Sequence, residues 1–133
     1  NLELVEYGCI TTHKSQKPEA RLLEIYQDLT KLITKHRPRI VAVESIFFFK
    51  NLKTAIAVAQ ARGVVMLCAA QNKIKLLEFT PLQVKMSLTS YGRAEKKQVQ
   101  YMVQKLLNLK TIPKPDDSAD ALAVAICASN RSL

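Results

Sequence analysis

The sequence predicts an α/β domain, and three observations carry that expectation. Short β-branched runs that are apolar almost throughout, of which Arg39 to Glu44 (RIVAVE) is the clearest, suit strands buried on both faces of a parallel sheet. Between such runs lie longer stretches whose apolar residues recur at helical spacing. The two kinds of segment alternate, which is the pattern of right-handed strand–helix–strand crossovers. The length of 133 residues is that of one domain, taken here as residues 1–133.

Leu2 to Thr12 (LELVEYGCITT), of mixed polarity, is expected to be a strand, with a turn at Ser15 to Pro18. A helix is expected from Pro18 to His36, because proline suits a first turn and Leu22, Ile25, Leu29, Leu32 and Ile33 keep helical spacing. Arg37-Pro38 ends it. Arg39 to Glu44 is a central strand, and Asn51 to Asn72 is a long helix rich in Ala and Val. Ile74 to Phe79 (IKLLEF) is a further strand, closed by Pro81. Helices follow over Pro81 to Ser90, Ala94 to Asn108 and Asp116 to Ser129, separated by the break at Tyr91-Gly92 and the loop Thr111 to Pro115. No repeat and no low-complexity segment interrupts the series.

Charge narrows the partner. With 48% hydrophobic residues the chain can build a core, yet 20 Lys+Arg against 11 Asp+Glu leave a net +9. Such an excess favours a polyanion, because Lys and Arg displace counterions from a phosphate backbone. No segregated basic amphipathic helix points to an anionic membrane instead. The longest apolar stretch, Ala55 to Ala70, contains Gln60, Arg62 and Gly63 and reads as no membrane span. Cys9, Cys68 and Cys127 are odd in number, far apart and in apolar settings, so buried reduced thiols are expected rather than disulfides or a structural zinc site. With no signal peptide visible, these features place the protein in the cytoplasm.

Three acids draw the chemistry together. Glu44 is the first polar residue after Ile40-Val41-Ala42-Val43, at the carboxyl end of a buried strand, where α/β sheets place their sites. It also reads as a solvated strand end. Asp117 and Asp120 share a face at the start of an Ala-rich helix. Either Asp116 or Asp117 could be a helix cap, since acids favour a first turn. Asp120, followed by an apolar run, is harder to explain by capping, and a cation would compensate a carboxylate pressed against a sheet. Combined, such carboxylates suit a hard divalent ion that retains waters for a phosphate.

Basic residues concentrate in one segment between those acids: Lys85, Arg93, Lys96 and Lys97 lie within thirteen residues, opposed there only by Glu95. The break at Tyr91-Gly92 puts Lys96 and Lys97 near a helix N-terminus with free N–H groups for phosphate; a solvated helix face is the plain alternative. Phe47-Phe48-Phe49 follows Glu44, and an exposed aromatic there would suit stacking or wedging between bases, although core packing accounts for at least one ring. His13 and His36 look like surface residues, and only 3 glycines leave little room for a phosphate-cradling loop or a dinucleotide fingerprint.

The stretches GCITT, RLLEIY, VAVESIFFFKN, the QARGVV within Ala55 to Val65, FTPLQVKMSLTSYGRAEKKQVQYMV and DDSADALAVAI together resemble the RuvC family of bacterial Holliday-junction resolvases, nearly end to end. The resemblance implies a ribonuclease-H-like fold, a mixed sheet flanked by helices. It implies a homodimer that cuts opposed strands of a four-way DNA junction symmetrically in recombination and repair, using Mg²⁺ or Mn²⁺, two ions per site. By resemblance Glu44, Asp117 and Asp120 match three of four catalytic acids and metal ligands. Lys96 and Lys85 match basic residues near them, and Phe47 matches an aromatic held near the junction. The long helix from Asn51 matches a dimer interface, and a branch-migration helicase is the implied partner. In one respect the chain departs from the family. The family's opening strand with its Asp-Pro-Gly motif, which supplies the fourth acid, and the hairpin strand after it have no counterpart before Leu2. The chain is therefore read as N-terminally truncated, with an incomplete metal site and little or no activity as it stands, though the full-length protein should cleave. Two rivals remain: a related nuclease acting on RNA or a hybrid, and a junction-binding module without activity.

Overall fold

The computed structural model describes residues 2–45 and 52–131, with the backbone alone at residue 53. The elements are α1 (Pro18–His36), β1 (Ile40–Glu44), α2 (Leu52–Gln71), β2 (Lys75–Phe79), α3 (Pro81–Thr89), α4 (Lys96–Leu106) and α5 (Asp116–Arg131). The fold is α/β. Among the described residues the sheet is one parallel pair, β1 beside β2. Internal contacts divide the chain into two compact units. One comprises Asn1–Cys9, Ala42–Ile46 and Leu77–Leu133, the other Ile10–Val41 and Phe47–Leu76.

The second of these units is built by α1 against α2. Ile33 of α1 and Cys68 and Ala69 of α2 are buried, and the Tyr26 hydroxyl donates to Gln71 Oε1 at 2.9 Å. Arg37 stops α1 by turning left-handed, with φ of 46° and its N–H on the Ile33 carbonyl at 2.8 Å. Pro38 then cannot resume the helix. The stretch Thr54–Gln71 of α2 has a mean hydropathy of 1.3 and, by length and composition, is long and apolar enough to cross a membrane. Much of its apolar surface is uncovered: Leu52, Ile56, Met66 and Leu67 are all exposed.

The other unit holds α3, α4 and α5, each packed on the other two. Its core joins Phe79, Val84, Leu88 and Val103 to Leu122, Ile126 and Cys127 of α5. The buried positions on α5 include Ala119, Leu122, Ala123, Ile126 and Cys127, a helical stripe whose small members admit close neighbours. The helix α3 begins with a reciprocal cap. Thr80 Oγ1 accepts the Gln83 N–H at 3.1 Å while Gln83 Oε1 accepts the Thr80 N–H at 2.8 Å, and proline follows at position 81. Thr80→Ala is expected to lower unfolding free energy by about 1 kcal/mol in chemical denaturation.

Three expectations need correction. Residues 2–12 form no strand. A strand exists through a ladder of hydrogen bonds to a neighbour, and no described segment pairs with this one, although Leu4 packs on the core of its unit. For the same reason Cys9 lies exposed, not buried, with its sulfur 3.6 Å from the Ser118 hydroxyl; Cys68 and Cys127 are buried as expected. Neither Asp116 nor Asp117 is a helix cap. Both stand inside the first turn of α5, after Pro115, whose carbonyl accepts the Ser118 N–H at 2.9 Å.

Candidate active site

Glu44 is the last residue of β1, after four apolar residues. Ser45 extends the pairing with β2. Its N–H donates to the Phe79 carbonyl at 2.7 Å, and its hydroxyl lies 3.4 Å from a Glu78 carboxylate oxygen. Beyond the strand end is a cavity of about 240 Å³ lined by Glu44, Lys85, Lys96 and Asp120, floored by Pro81, Val84, Val99 and Ala123. Each charged residue comes from a different element: β1, α3, α4 and α5. The apolar floor is the edge of the unit's core, since Val84 and Ala123 belong to it.

Charge in this cavity is frustrated. Burial, and then the field of Asp120, push the Glu44 carboxyl above its ordinary range, with Lys85 opposing. Asp120 is likewise raised, first by burial and then by Asp117 and Asp116, against the pull of Lys96. Two carboxyls that resist ionisation side by side mark a place where a cation would be favoured. Lys96 is committed elsewhere. Its amine sits 3.3 Å from Asp116, on the open surface, and that hydrogen bond raises its pKa while lowering that of Asp116. Gln100, one turn further along α4, donates to the other Asp116 oxygen at 3.2 Å.

The structure thus brings together Glu44, Asp120, Lys85 and Lys96. Asp117 lies one helical turn before Asp120, exposed and outside the cavity lining, though its charge is felt by Asp120. Among the described residues no three His, Cys, Asp or Glu side chains come close enough to hold a metal ion together. The donor chemistry nevertheless fits a hard divalent ion, since the converging pair offers only carboxylate oxygens. Arg93 is exposed away from this cavity, and Lys97 lines a different one. At the start of α4, Gln98 accepts the Glu95 N–H at 2.8 Å and gives its own N–H to the Glu95 carbonyl at 3.0 Å. Phe47 lies outside the described residues, as do Phe48, Phe49 and Asn51. Asp116 and Gln100, which set the Lys96 side chain, are not legible in the sequence as site residues. Only Lys96 and Gln100 carry a signal, their spacing of one turn.

Similarity to known proteins extends over nearly the whole chain. The family model described as "Crossover junction endodeoxyribonuclease RuvC" matches residues 1–128. A protein of that name from Fusobacterium nucleatum is 52% identical over 127 residues, which cover 96% of this chain and 67% of the relative. One from Ruminiclostridium cellulolyticum is 56% identical over 127 residues, covering 96% and 76%. Among solved structures, Thermus thermophilus RuvC in complex with a Holliday junction substrate superposes with a TM-score of 0.94 at 31% identity, over 98% of this chain and 79% of that one.

Proposed function

The chain belongs to the RuvC family of crossover junction endodeoxyribonucleases, and from that premise we propose that it resolves four-way DNA junctions by divalent-metal-dependent hydrolysis of a phosphodiester. The observation that carries the reading is the single cavity shared by Glu44 and Asp120, with Lys85 and Lys96 on its walls. Glu44 and Asp120, joined by Asp117, are the residues that would hold Mg²⁺ or Mn²⁺, in a pair of ions by family resemblance. The chemistry such ions supply is a lowered pKa for water and neutralisation of charge at the phosphate. Lys96, once drawn from Asp116, meets the negative charge that grows on the phosphate. Lys85, on the same cavity, holds the strand through its backbone, and Arg93 and Lys97 extend the basic surface along it.

The deciding measurement offers the full-length natural protein a synthetic four-way junction, a linear duplex and an RNA–DNA hybrid in Mg²⁺. Paired symmetric cuts in the junction alone are expected. Cleavage of the hybrid without preference for the junction would favour the related RNA-directed nuclease, and tight junction binding without any cut would favour a pure binding module. Lys85→Ala is expected to weaken junction binding and to flatten the log–log salt dependence of affinity by about one unit, with sequence preference unchanged.

We also propose a homodimer, because symmetric cutting of a two-fold junction asks for a two-fold protein. The uncovered apolar side chains of α2 supply a face for it, with Leu52 at 74% and Leu67 at 52% exposure. The polar and basic residues Gln60 and Arg62 within that helix fit a protein contact better than a bilayer. A charge there should split the assembly: Leu67→Glu is expected to give a monomer by sedimentation and to lose paired cutting. Location in the bacterial cytoplasm and a branch-migration helicase as partner complete the proposal.

A further inference from the structure

A second cavity, of about 540 Å³, opens between α3 and α4, on the unit that carries the acids. Two tyrosines line it, Tyr91 at 54% and Tyr101 at 52% exposure, together with Lys97, Gln98, Thr89 and Met102. Nothing in the proposed cleavage uses these rings. The backbone that carries Tyr91 is nonetheless held. Ser90 takes a left-handed conformation, with φ of 60°, to end α3. Thr89 then clasps the turn: its Oγ1 accepts the Tyr91 N–H at 3.1 Å and lies 3.0 Å from the Tyr91 carbonyl oxygen. Gly92 packs so closely that an added Cβ would stand 2.9 Å from Leu82 Cδ1. Tyr91 is thus presented by a braced turn, and Tyr101 by the middle of a helix. The Lys105 amine lies 5.7 Å from the Tyr101 ring centre, which adds a second cation to the same surface.

Exposed aromatic rings beside ammonium groups are the arrangement that binds unpaired nucleotides: rings take base faces, and cations take the phosphates between them. A buried apolar peptide would not need the lysines, and a duplex could not offer base faces. Lys96 lines the acid cavity and Lys97, the next residue, lines this one, so α4 borders both cavities. We infer that the groove of Tyr91, Tyr101 and Lys97 is a binding site for an unpaired nucleotide of the DNA substrate, stacked on the tyrosines with its phosphate on Lys97. The identity of the nucleic acid as substrate rests on the junction-cleaving reading; the groove's affinity for single strands does not.

The test titrates the full-length protein with a short fluorescein-labelled oligothymidylate at fixed salt. Tyr91→Ala and Tyr101→Ala are each expected to weaken binding roughly tenfold, while Tyr101→Phe, which keeps the ring, stays within about twofold of the parent. Lys97→Gln should reduce the log–log salt slope by about 0.7. Both rings are more than half exposed, so unchanged melting temperatures are expected and serve as the control for folding. Alanine variants that bind within twofold of the parent would overturn the inference, and so would a Tyr101→Phe variant as weak as Tyr101→Ala. The two readings fail separately. A protein that cuts junctions but is indifferent to the tyrosine changes loses only the groove, and one that holds oligothymidylate through the tyrosines yet never cuts loses only the resolvase.

Discussion

Glu44→Gln is expected to reduce junction cleavage on the order of a thousandfold, equivalent to about 4 kcal/mol of barrier, while junction affinity stays close to that of the parent. The substitution keeps the volume and one oxygen but removes the charge, at the end of a strand whose position the Ser45–Phe79 backbone bond fixes at 2.7 Å. No described carboxylate other than Asp120 lines that cavity, so none can substitute for it. Binding draws instead on a net charge of +9 spread over the surface, to which one half-buried acid contributes little. Single-turnover cleavage of a labelled junction in Mg²⁺, beside a gel-shift titration in Ca²⁺, separates the two quantities. Cleavage within tenfold of the parent would remove Glu44 from the chemistry.

Glu44 is legible in the amino-acid sequence because its setting is local. A β-branched apolar run ending in one acid has few readings, and the described β1 is Ile40–Glu44, one residue shorter than expected. The helices are equally legible, because their punctuation is local too: Arg37-Pro38 ends α1, Thr80 caps α3, and Tyr91-Gly92 separates α3 from α4. Non-local features escape such rules. Leu2 to Thr12 has strand composition, but composition cannot say whether a partner lies alongside to complete the ladder. The exposure of Cys9 follows from the same gap. The site divides likewise. Asp120 is separable from its neighbours by the apolar run behind it, whereas Asp116, which capping preference alone would explain, is the partner of Lys96 at 3.3 Å. That pair joins two helices whose contact no spacing rule anticipates. Lys97 and Tyr101 illustrate the opposite limit: charge suggests a phosphate role for the first and composition suggests none for the second, yet they share a cavity.

Asp120→Asn is expected to reduce cleavage by at least about a hundredfold and at the same time to make the metal-free protein more stable at neutral pH. Proton linkage sets the direction. The Asp120 carboxyl is raised above its ordinary 3.8 in the folded protein, through burial first and then the nearby acids. A raised acid favours folding below its unfolded pKa, and this contribution is lost as pH rises through the folded value. Glu44, raised above 4.5, behaves in the same way. At neutral pH both are charged and repel, so replacing one by an amide relieves the repulsion and the cost of a partly buried charge. The stability advantage of Asp120→Asn should therefore be largest near neutrality and shrink as pH falls toward about 4. Magnesium should reverse the order. A cation held by Glu44 and Asp120 would stabilise the parent in proportion to its occupancy, and the amide variant, with one charged ligand fewer, would gain less. Calorimetric melting in EDTA and in Mg²⁺, across that pH range, measures both effects. A variant less stable than the parent in EDTA at neutral pH would mean that Asp120 is a structural acid. A variant stabilised by Mg²⁺ as much as the parent would mean that the ion binds elsewhere. The expected reversal of stability order between EDTA and Mg²⁺ would show that the repulsion between Glu44 and Asp120 is what the ion relieves, and hence why a cavity so unfavourable to two carboxylates contains both.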